Sequence, residues 1–422
     1  MNASVAKSSV YTLVANVLLA ASNWLLFVII AKSYSGLELG QFVLALSFIS
    51  PAFLFASFKL RTLLVVDREW QFSLNEYFFA RLLANSIIAI GCLVSVFSQW
   101  PELFHVSVLV IIYRCCDSFT EFSHSYLRRL QHFKRVAALM AARSAFTMLV
   151  LIVGAWQDAT LIGLLNLWAL TAFMFCGIDL MLLRSTSSNN EVVSLSLGKM
   201  LNCGSFSRAF VLYRRYFTIA CSLVISALFV YLPNFFLHQQ MGVQSAGYFA
   251  SISYFLVAGG IIVNSLSQVL TPKLAVQYQC RQLSDFNRLL KYLCSTGLVL
   301  GILGILISWS MGAFFLALFY TPQIAQYQDV LTVLMLAAAV RYIYIFLGTA
   351  LASIQRFTIQ TKIYAVGLSA MAVACYLLIP EHGLLGAAYA MLIATVVEFM
   401  LFALTIKSQI RFAFSQPIRV QE

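Results

Sequence analysis

The sequence predicts an all-α integral membrane protein whose twelve transmembrane helices form two pseudo-symmetric six-helix bundles around a central cavity. Three observations predict this fold class: an apolar composition, twelve apolar stretches of spanning length, and basic residues confined to alternate loops. Of the 422 residues, 61% are hydrophobic and 10% are charged, and the mean hydropathy is +0.88. Because about a quarter of the residues in a soluble domain are charged, this composition excludes an ordinary soluble protein.

Each predicted span is an apolar stretch of about 20 residues, the length that crosses the hydrocarbon core of a bilayer as a helix. The first span follows Lys7 and superficially resembles a signal peptide, but it continues unbroken to Ala31, so we expect an uncleaved helix. The first six spans are Val10 to Ala31, Leu37 to Phe58, Glu76 to Ser98, Phe104 to Tyr126, Val136 to Trp156 and Thr160 to Leu183. The other six are Tyr216 to Leu237, Gln244 to Leu270, Leu289 to Trp309, Gln326 to Ser353, Gln360 to Ile379 and Leu384 to Ile406.

The basic residues predict the orientation of these spans. Loops on the side of the termini carry almost all of the Lys and Arg residues, whereas the short alternate loops contain only Lys32. Because cytoplasmic loops retain Lys and Arg, both termini are expected in the cytoplasm. The basic residues form no continuous patch, so the net charge of +12 does not indicate a nucleic-acid partner.

A polar connector divides the predicted spans into two groups of six. The connector, residues 184–215, is rich in Ser and Asn and lies midway along the chain. It would join an N-terminal six-helix bundle, residues 1–183, to a C-terminal six-helix bundle with a short cytoplasmic tail, residues 216–422.

Weak internal similarity supports the two halves. Residues 33–42, entering the second span, parallel residues 240–249, which enter the eighth. The fourth and tenth spans each carry a central arginine, Arg114 and Arg341. Two parallel halves around a site at mid-membrane are common among secondary transporters.

The fourth predicted span is apolar on one side and charged on the other. At about 100° per residue its polar side chains fall within an arc of roughly 80°. These side chains are Arg114, Asp117, Glu121, His124 and Arg128. Because ionisable groups inside a membrane normally face protein or water, the pattern predicts a helix that lines a cavity.

Three short motifs resemble the polysaccharide flippase family, the Wzx-like O-antigen translocases of the multidrug/oligosaccharidyl-lipid/polysaccharide (MOP) exporter superfamily. They are AKSYSGLELGQF at residues 31–42, VLTPKLA at residues 269–275 and GLLGAAYA at residues 383–390. The resemblance covers essentially the whole chain, and its specificity lies in the order and spacing of the motifs. Ser35-Gly36 stand where the family often has Gly-Pro, which weakens the first motif.

The resemblance implies a multi-pass protein of the bacterial inner membrane that moves an undecaprenyl-diphosphate-linked oligosaccharide outward by alternating access, for O-antigen or another surface polysaccharide. It implies H⁺ or Na⁺ coupling, a monomer in the lipid bilayer without a cofactor, and a polysaccharide polymerase and a chain-length regulator as candidate partners. Two alternatives stay open: a multidrug exporter of the same superfamily and a membrane-embedded glycan polymerase or ligase.

Six arginines are the candidate cations for an anionic diphosphate, because a guanidinium fork grips phosphate oxygens and stays charged at physiological pH. Arg114 and Arg341 lie at mid-span; the alternative is static pairing, Arg114 with Asp117 or Glu121 and Arg341 with Glu398. The other four candidates are Arg81, Arg143, Arg128 and Arg356. Arg81 and Arg143 lie near the cytoplasmic ends of their spans, so the favoured interpretation is that they extend to the lipid headgroups.

Four acids lie within the predicted spans and could balance the arginines or carry a coupling ion. They are Glu398, Asp117, Glu121 and Asp179. Glu398 is deep and alone in its span, which makes it the first candidate for a coupling acid. Asp179 lies near the cytoplasmic end of its span, where we expect it to be hydrated.

The sequence lacks the patterns of a metal site or a typical glycan-assembling enzyme. The nine cysteines lie mostly in apolar stretches without disulfide or zinc spacing, and the five histidines are dispersed. Loops of three to six residues on the predicted periplasmic side leave no room for a catalytic domain. We therefore expect no metal and no enzymatic activity.

Overall fold

The fold is helical throughout the described part of the chain. In a computed structural model, the structure describes residues 3–57, 73–188, 203–354 and 356–415. Within these ranges twelve helices are long and apolar enough to cross a membrane. The predictions of an all-α fold and of twelve membrane-spanning helices are confirmed.

The twelve helices follow one another with short connections. The first six are α1 (Ala3–Ser33), α2 (Gly36–Ser57), α3 (Leu74–Gln99), α4 (Phe104–Arg129), α5 (Phe133–Trp156) and α6 (Leu161–Ser188). The other six are α7 (Cys203–Met241), α8 (Val243–Gln279), α9 (Leu283–Phe319), α10 (Gln328–Ser353), α11 (Phe357–His382) and α12 (Leu384–Ser415). A single 3₁₀ turn, Pro101–Leu103, precedes α4, and a short helical turn, Pro322–Ala325, precedes α10.

Several helices extend beyond the apolar stretches that predicted them. Helix α7 begins at Cys203 instead of Tyr216, and α8 continues to Gln279 instead of ending at Leu270. Hydropathy detects only the part of a helix that suits lipid, whereas the hydrogen-bonded backbone continues through polar turns in water. Helix α8 ends where Arg281 adopts a positive φ of 54°.

The chain divides into two compact units, Met1–Ala227 and Leu228–Glu422, and the division falls inside α7. They are called the first and second unit below. The predicted bundles, 1–183 and 216–422, and their connector stay a prediction, since residues 189–202 lie outside the described residues.

In the first unit, α4 is the central helix and packs against α2, α3, α5 and α6. A buried apolar cluster forms around Phe122 and Tyr126 of α4, with Tyr77 of α3, Leu183 of α6 and Leu212 of α7. This packing fixes the angular position of α4, so that its charged side is directed at neighbouring helices.

In the second unit, α10 packs against α8, α9 and α12. The closest approach is between α9 and α10, where a Cβ added at Gly301 would lie 2.4 Å from the Cα of Ala339. Only a residue without a side chain allows the two backbones to come this close.

We expect Gly301→Ala to lower the free energy of unfolding by about 1–3 kcal/mol, because the added methyl group forces α9 and α10 apart. Gly177→Ala is the matched control: nothing lies within 4 Å of its added Cβ, and alanine favours the helix. Thermal unfolding of both variants in detergent measures the difference. Equal melting temperatures would contradict the close approach.

Candidate functional site

The charged side of α4 meets side chains from four neighbouring helices. The polar residues predicted on one face of the fourth span are all in α4, Phe104–Arg129. Their partners come from α2, α3, α5 and α6 and lie far away in the sequence. The prediction that these partners face protein rather than lipid therefore agrees with the contacts.

Asp117 of α4 forms an ion pair with Arg143 of α5. The distance between Arg143 Nη1 and Asp117 Oδ1 is 2.9 Å, and Arg143 is only 5% exposed. The Arg143 guanidinium also lies 5.5 Å from the ring centroid of Tyr113, which stacks on Trp168 at 3.6 Å. The partner of Asp117 thus comes from a different helix from the one that sequence spacing suggested.

Arg81 of α3 is held against α4 by several hydrogen bonds. Its Nε donates to the Ser118 hydroxyl at 2.7 Å and its Nη2 donates to the Ser118 carbonyl at 2.9 Å. The same Nη2 lies 3.4 Å from a carboxylate oxygen of Glu121, which is more exposed. Asn85, one turn along α3, also donates to the Ser118 hydroxyl.

The favoured interpretation that Arg81 and Arg143 extend to the headgroups is wrong. Both are buried, Arg81 to 1% exposure, because carboxylate and carbonyl acceptors lie nearer than the membrane surface. A bonded guanidinium inside the protein avoids both lipid and the entropy loss of a long extended chain.

Arg114 and Arg128 lie at the middle and the end of the same α4 face. Arg114 Nη2 donates to the Ser50 hydroxyl of α2 at 2.7 Å, and the side chain is half-buried. Arg128 Nη2 lies 3.6 Å from the Met140 sulfur and is also half-buried. Arg114 therefore has at least one neutral oxygen partner on a neighbouring helix.

Asp179 of α6 is buried to 1% exposure, so the expectation that it is hydrated is wrong. Its Oδ1 lies 3.3 Å from Nε2 of His124, and the Ser123 hydroxyl donates to the Asp179 carbonyl at 2.7 Å. Helix α6 continues to Ser188, beyond the predicted end of the span, and this extension places Asp179 inside the packed helix pair.

In the second unit, Arg341 of α10 lies over an aromatic ring. Its guanidinium carbon is 4.5 Å from the ring centroid of Phe229, and its Nη1 atom is buried without a hydrogen-bond partner. Among the described residues Arg341 and Glu398 form no ion pair, which removes the static pairing considered for them. The two charges lie in α10 and α12, which pack together.

Glu398 of α12 is buried to 2% exposure, and its Oε2 atom has no hydrogen-bond partner. Gly367 of α11 makes room for it, since an added Cβ there would lie 2.4 Å from Glu398 Cγ. Tyr344 and Tyr364 surround the ring of Phe402 nearby. Arg356, at the start of α11, is exposed.

Several partners in these clusters were not predicted from the sequence. Ser118, Ser50 and His124 each hold a charged residue that sequence reasoning had placed. The one local signal was the pair Arg81 and Asn85, which are four residues apart and hence on one side of α3. Within the described ranges, no three His, Cys, Asp or Glu residues come together as metal ligands.

Comparisons with known proteins agree with the geometry of the fold. No protein-family model matches the chain. Over 391 residues it is 25% identical to the capsular polysaccharide biosynthesis protein CapF of Staphylococcus aureus, with 92% of this chain and 96% of that protein covered. The resemblance to a polysaccharide family that the sequence motifs predicted is therefore confirmed.

Solved structures of transporters have the same fold. A MOP superfamily transporter from Pyrococcus furiosus has a TM-score of 0.69 at 11% identity, covering 98% of this chain and 96% of the other. An inward-facing MATE family transporter of the same superfamily has a TM-score of 0.70 at 10% identity, covering 97% and 96%. The chain is a multi-pass membrane protein with the MOP transporter fold.

Proposed function

We propose that the chain is a flippase that moves undecaprenyl-diphosphate-linked oligosaccharide repeat units from the cytoplasmic to the periplasmic leaflet of the bacterial inner membrane. It works by alternating access, in the synthesis of O-antigen or another surface polysaccharide. The observation that carries the proposal is the presence of guanidinium groups inside the spans of a transporter fold. The likeness to a capsular polysaccharide biosynthesis protein supports a glycan as the cargo.

The proposed orientation follows from the basic residues. Both termini lie in the cytoplasm, because nearly all of the loop Lys and Arg residues are on their side. Arg128 and Arg356 are then at the cytoplasmic ends of α4 and α10–α11, where they attract the anionic diphosphate of the lipid.

Arginines deeper in each unit would bind the diphosphate inside the membrane. A phosphate without a cationic partner is costly in hydrocarbon, and a guanidinium offers it two parallel hydrogen bonds. In the first unit Asp117 and Glu121 balance Arg143 and Arg81, so the empty protein is not strongly self-repulsive. In the second unit Arg341 has a buried nitrogen ready to donate.

Glu398 is the proposed coupling acid of the second unit. It is buried, and one of its oxygens has no partner, so H⁺ or Na⁺ would find an unused acceptor there. We expect Glu398→Gln to transport glycan at a rate that no longer responds to the gradient of the coupling ion. A gradient response identical to that of the unchanged protein would remove Glu398 from this role.

A strain without the protein tests the function directly. Undecaprenyl-linked repeat units are expected to accumulate in the cytoplasmic leaflet, and the surface polysaccharide is expected to disappear. Single repeat units that reach the periplasm without being joined would indicate a polymerase instead. Increased sensitivity to cationic drugs with a normal glycan surface would indicate a multidrug exporter.

A further inference from the structure

We propose that His124 and Asp179 form a proton-binding site inside the first unit, which takes up and releases one proton during transport. The proposal rests on the flippase function above and deepens it by adding a site for a coupling proton. Glu398 lies in the second unit, so the two sites are separate places in the chain.

The geometry is that of a buried acid–base pair. Nε2 of His124 lies 3.3 Å from Oδ1 of Asp179, and the two residues are 6% and 1% exposed. They join α4 to α6, both of which are membrane-spanning. The adjacent bond from the Ser123 hydroxyl to the Asp179 carbonyl holds the two helices together independently of either titratable side chain.

The surroundings leave the pair to balance its own charge. Arg143 of α5 acts electrostatically on Asp179, but it makes its short ion pair with Asp117. Cys176, one turn before Asp179 on α6, also interacts with it electrostatically. With one proton shared, His124 and Asp179 are together neutral; without that proton they carry a buried negative charge, which is unfavourable in a packed interior.

The remaining charged groups around this part of α4 have partners of their own. Glu121, one turn before His124, pairs with Arg81 of α3, and Arg128, one turn after it, lies against Met140 of α5. None of these is recorded as an ion-pair partner of the His124–Asp179 pair.

Proton binding should therefore control how α4 and α6 pack. The neutral pair suits the closed arrangement, whereas the negative pair favours an arrangement that admits water. His124 is five residues before Arg129, the last residue of α4, so a proton must travel only about 8 Å along the helix to reach that end. Histidine suits this role because its ordinary titration lies near physiological pH.

A direct test is a histidine NMR titration of the full chain in phospholipid nanodiscs, using ¹³C-labelled histidine. Assignment by elimination uses His→Gln changes at the four other histidines, 105, 132, 238 and 382. We expect the His124 resonance to titrate between about pH 5 and 9 and its midpoint to move by about one pH unit or more in Asp179→Asn. A His124 resonance that is constant over this range, or a midpoint unaffected by Asp179→Asn, would overturn the proposal.

Transport supplies the second measurement. In proteoliposomes, His124→Gln is expected to flatten the pH dependence of glycan flipping, because glutamine can still donate to Asp179 but binds no proton. His105→Gln, at the exposed start of the same helix, is the matched control and should keep the normal profile. A normal pH profile in His124→Gln would overturn the site and leave the flippase function standing. If the unchanged protein moves no glycan, the flippase function fails, and the NMR titration still decides the site.

Discussion

Arg341→Gln is expected to slow the flipping of a lipid-linked oligosaccharide about tenfold to a hundredfold. Arg341 is in the middle of α10, its Nη1 is buried without a partner, and its guanidinium faces the ring of Phe229. A hydrogen bond to a charged group contributes about 1.5–3 kcal/mol, and each 1.4 kcal/mol corresponds to about a factor of ten. Glutamine keeps a donor but loses the charge that the diphosphate needs.

The rate is measured in proteoliposomes by the appearance of the labelled glycan in the outer leaflet. Arg341→Lys should lose less, because it keeps the charge without the fork. Arg288→Gln, an exposed arginine near the start of α9, is the control and should transport normally. Full-rate transport by both Arg341→Gln and Arg114→Gln, with normal insertion, would exclude these two arginines as the cationic path.

Arg143→Leu is expected to lower the free energy of unfolding by about 2–4 kcal/mol. Removing one partner of a buried ion pair costs about 3–5 kcal/mol, since the other charge is left without compensation. The lower range applies because the side chain of Asp117 is 25% exposed and water can partly solvate it. The loss is measured by denaturant unfolding in detergent micelles, followed by tryptophan fluorescence.

A double-mutant cycle separates the ion pair from simple loss of packing. Asp117→Asn combined with Arg143→Leu should be more stable than Arg143→Leu alone, because no unpaired carboxylate remains. Arg135→Leu, two turns earlier on α5 and exposed, should change stability little. If Arg135→Leu and Arg143→Leu unfold at the same denaturant concentration, the buried pair does not stabilise the fold.

The charged face of α4 shows how far sequence reasoning reached into the site. The spacing of Arg114, Asp117 and Glu121 put them on one side of a helix, because side-chain direction follows helical periodicity. The same spacing suggested that Arg114 pairs within its own helix. Asp117 and Glu121 instead meet Arg143 and Arg81, which come from helices that the periodicity of α4 does not describe.

The environment of Asp179 shows a second kind of error. Its position near the end of an apolar stretch suggested water, but α6 continues past that stretch and packs Asp179 against His124. Hydropathy reports the preference of a segment for lipid and carries no information about which neighbouring helix covers a given side chain. The functional assignments of these residues stay proposals until the variants are measured.

The sequence by itself determined the fold class and the twelve spans, because a bilayer requires each crossing segment to be apolar and to satisfy its own backbone hydrogen bonds. It also located the ionisable residues within those spans, since charge is rare there. Only the tertiary structure decided which of them meet: Arg143 with Asp117, His124 with Asp179, and Arg341 with the ring of Phe229. The physical reason is that these contacts depend on how helices distant in the sequence pack, to within a few tenths of an ångström at positions such as Gly301 and Gly367, and local periodicity does not specify that packing.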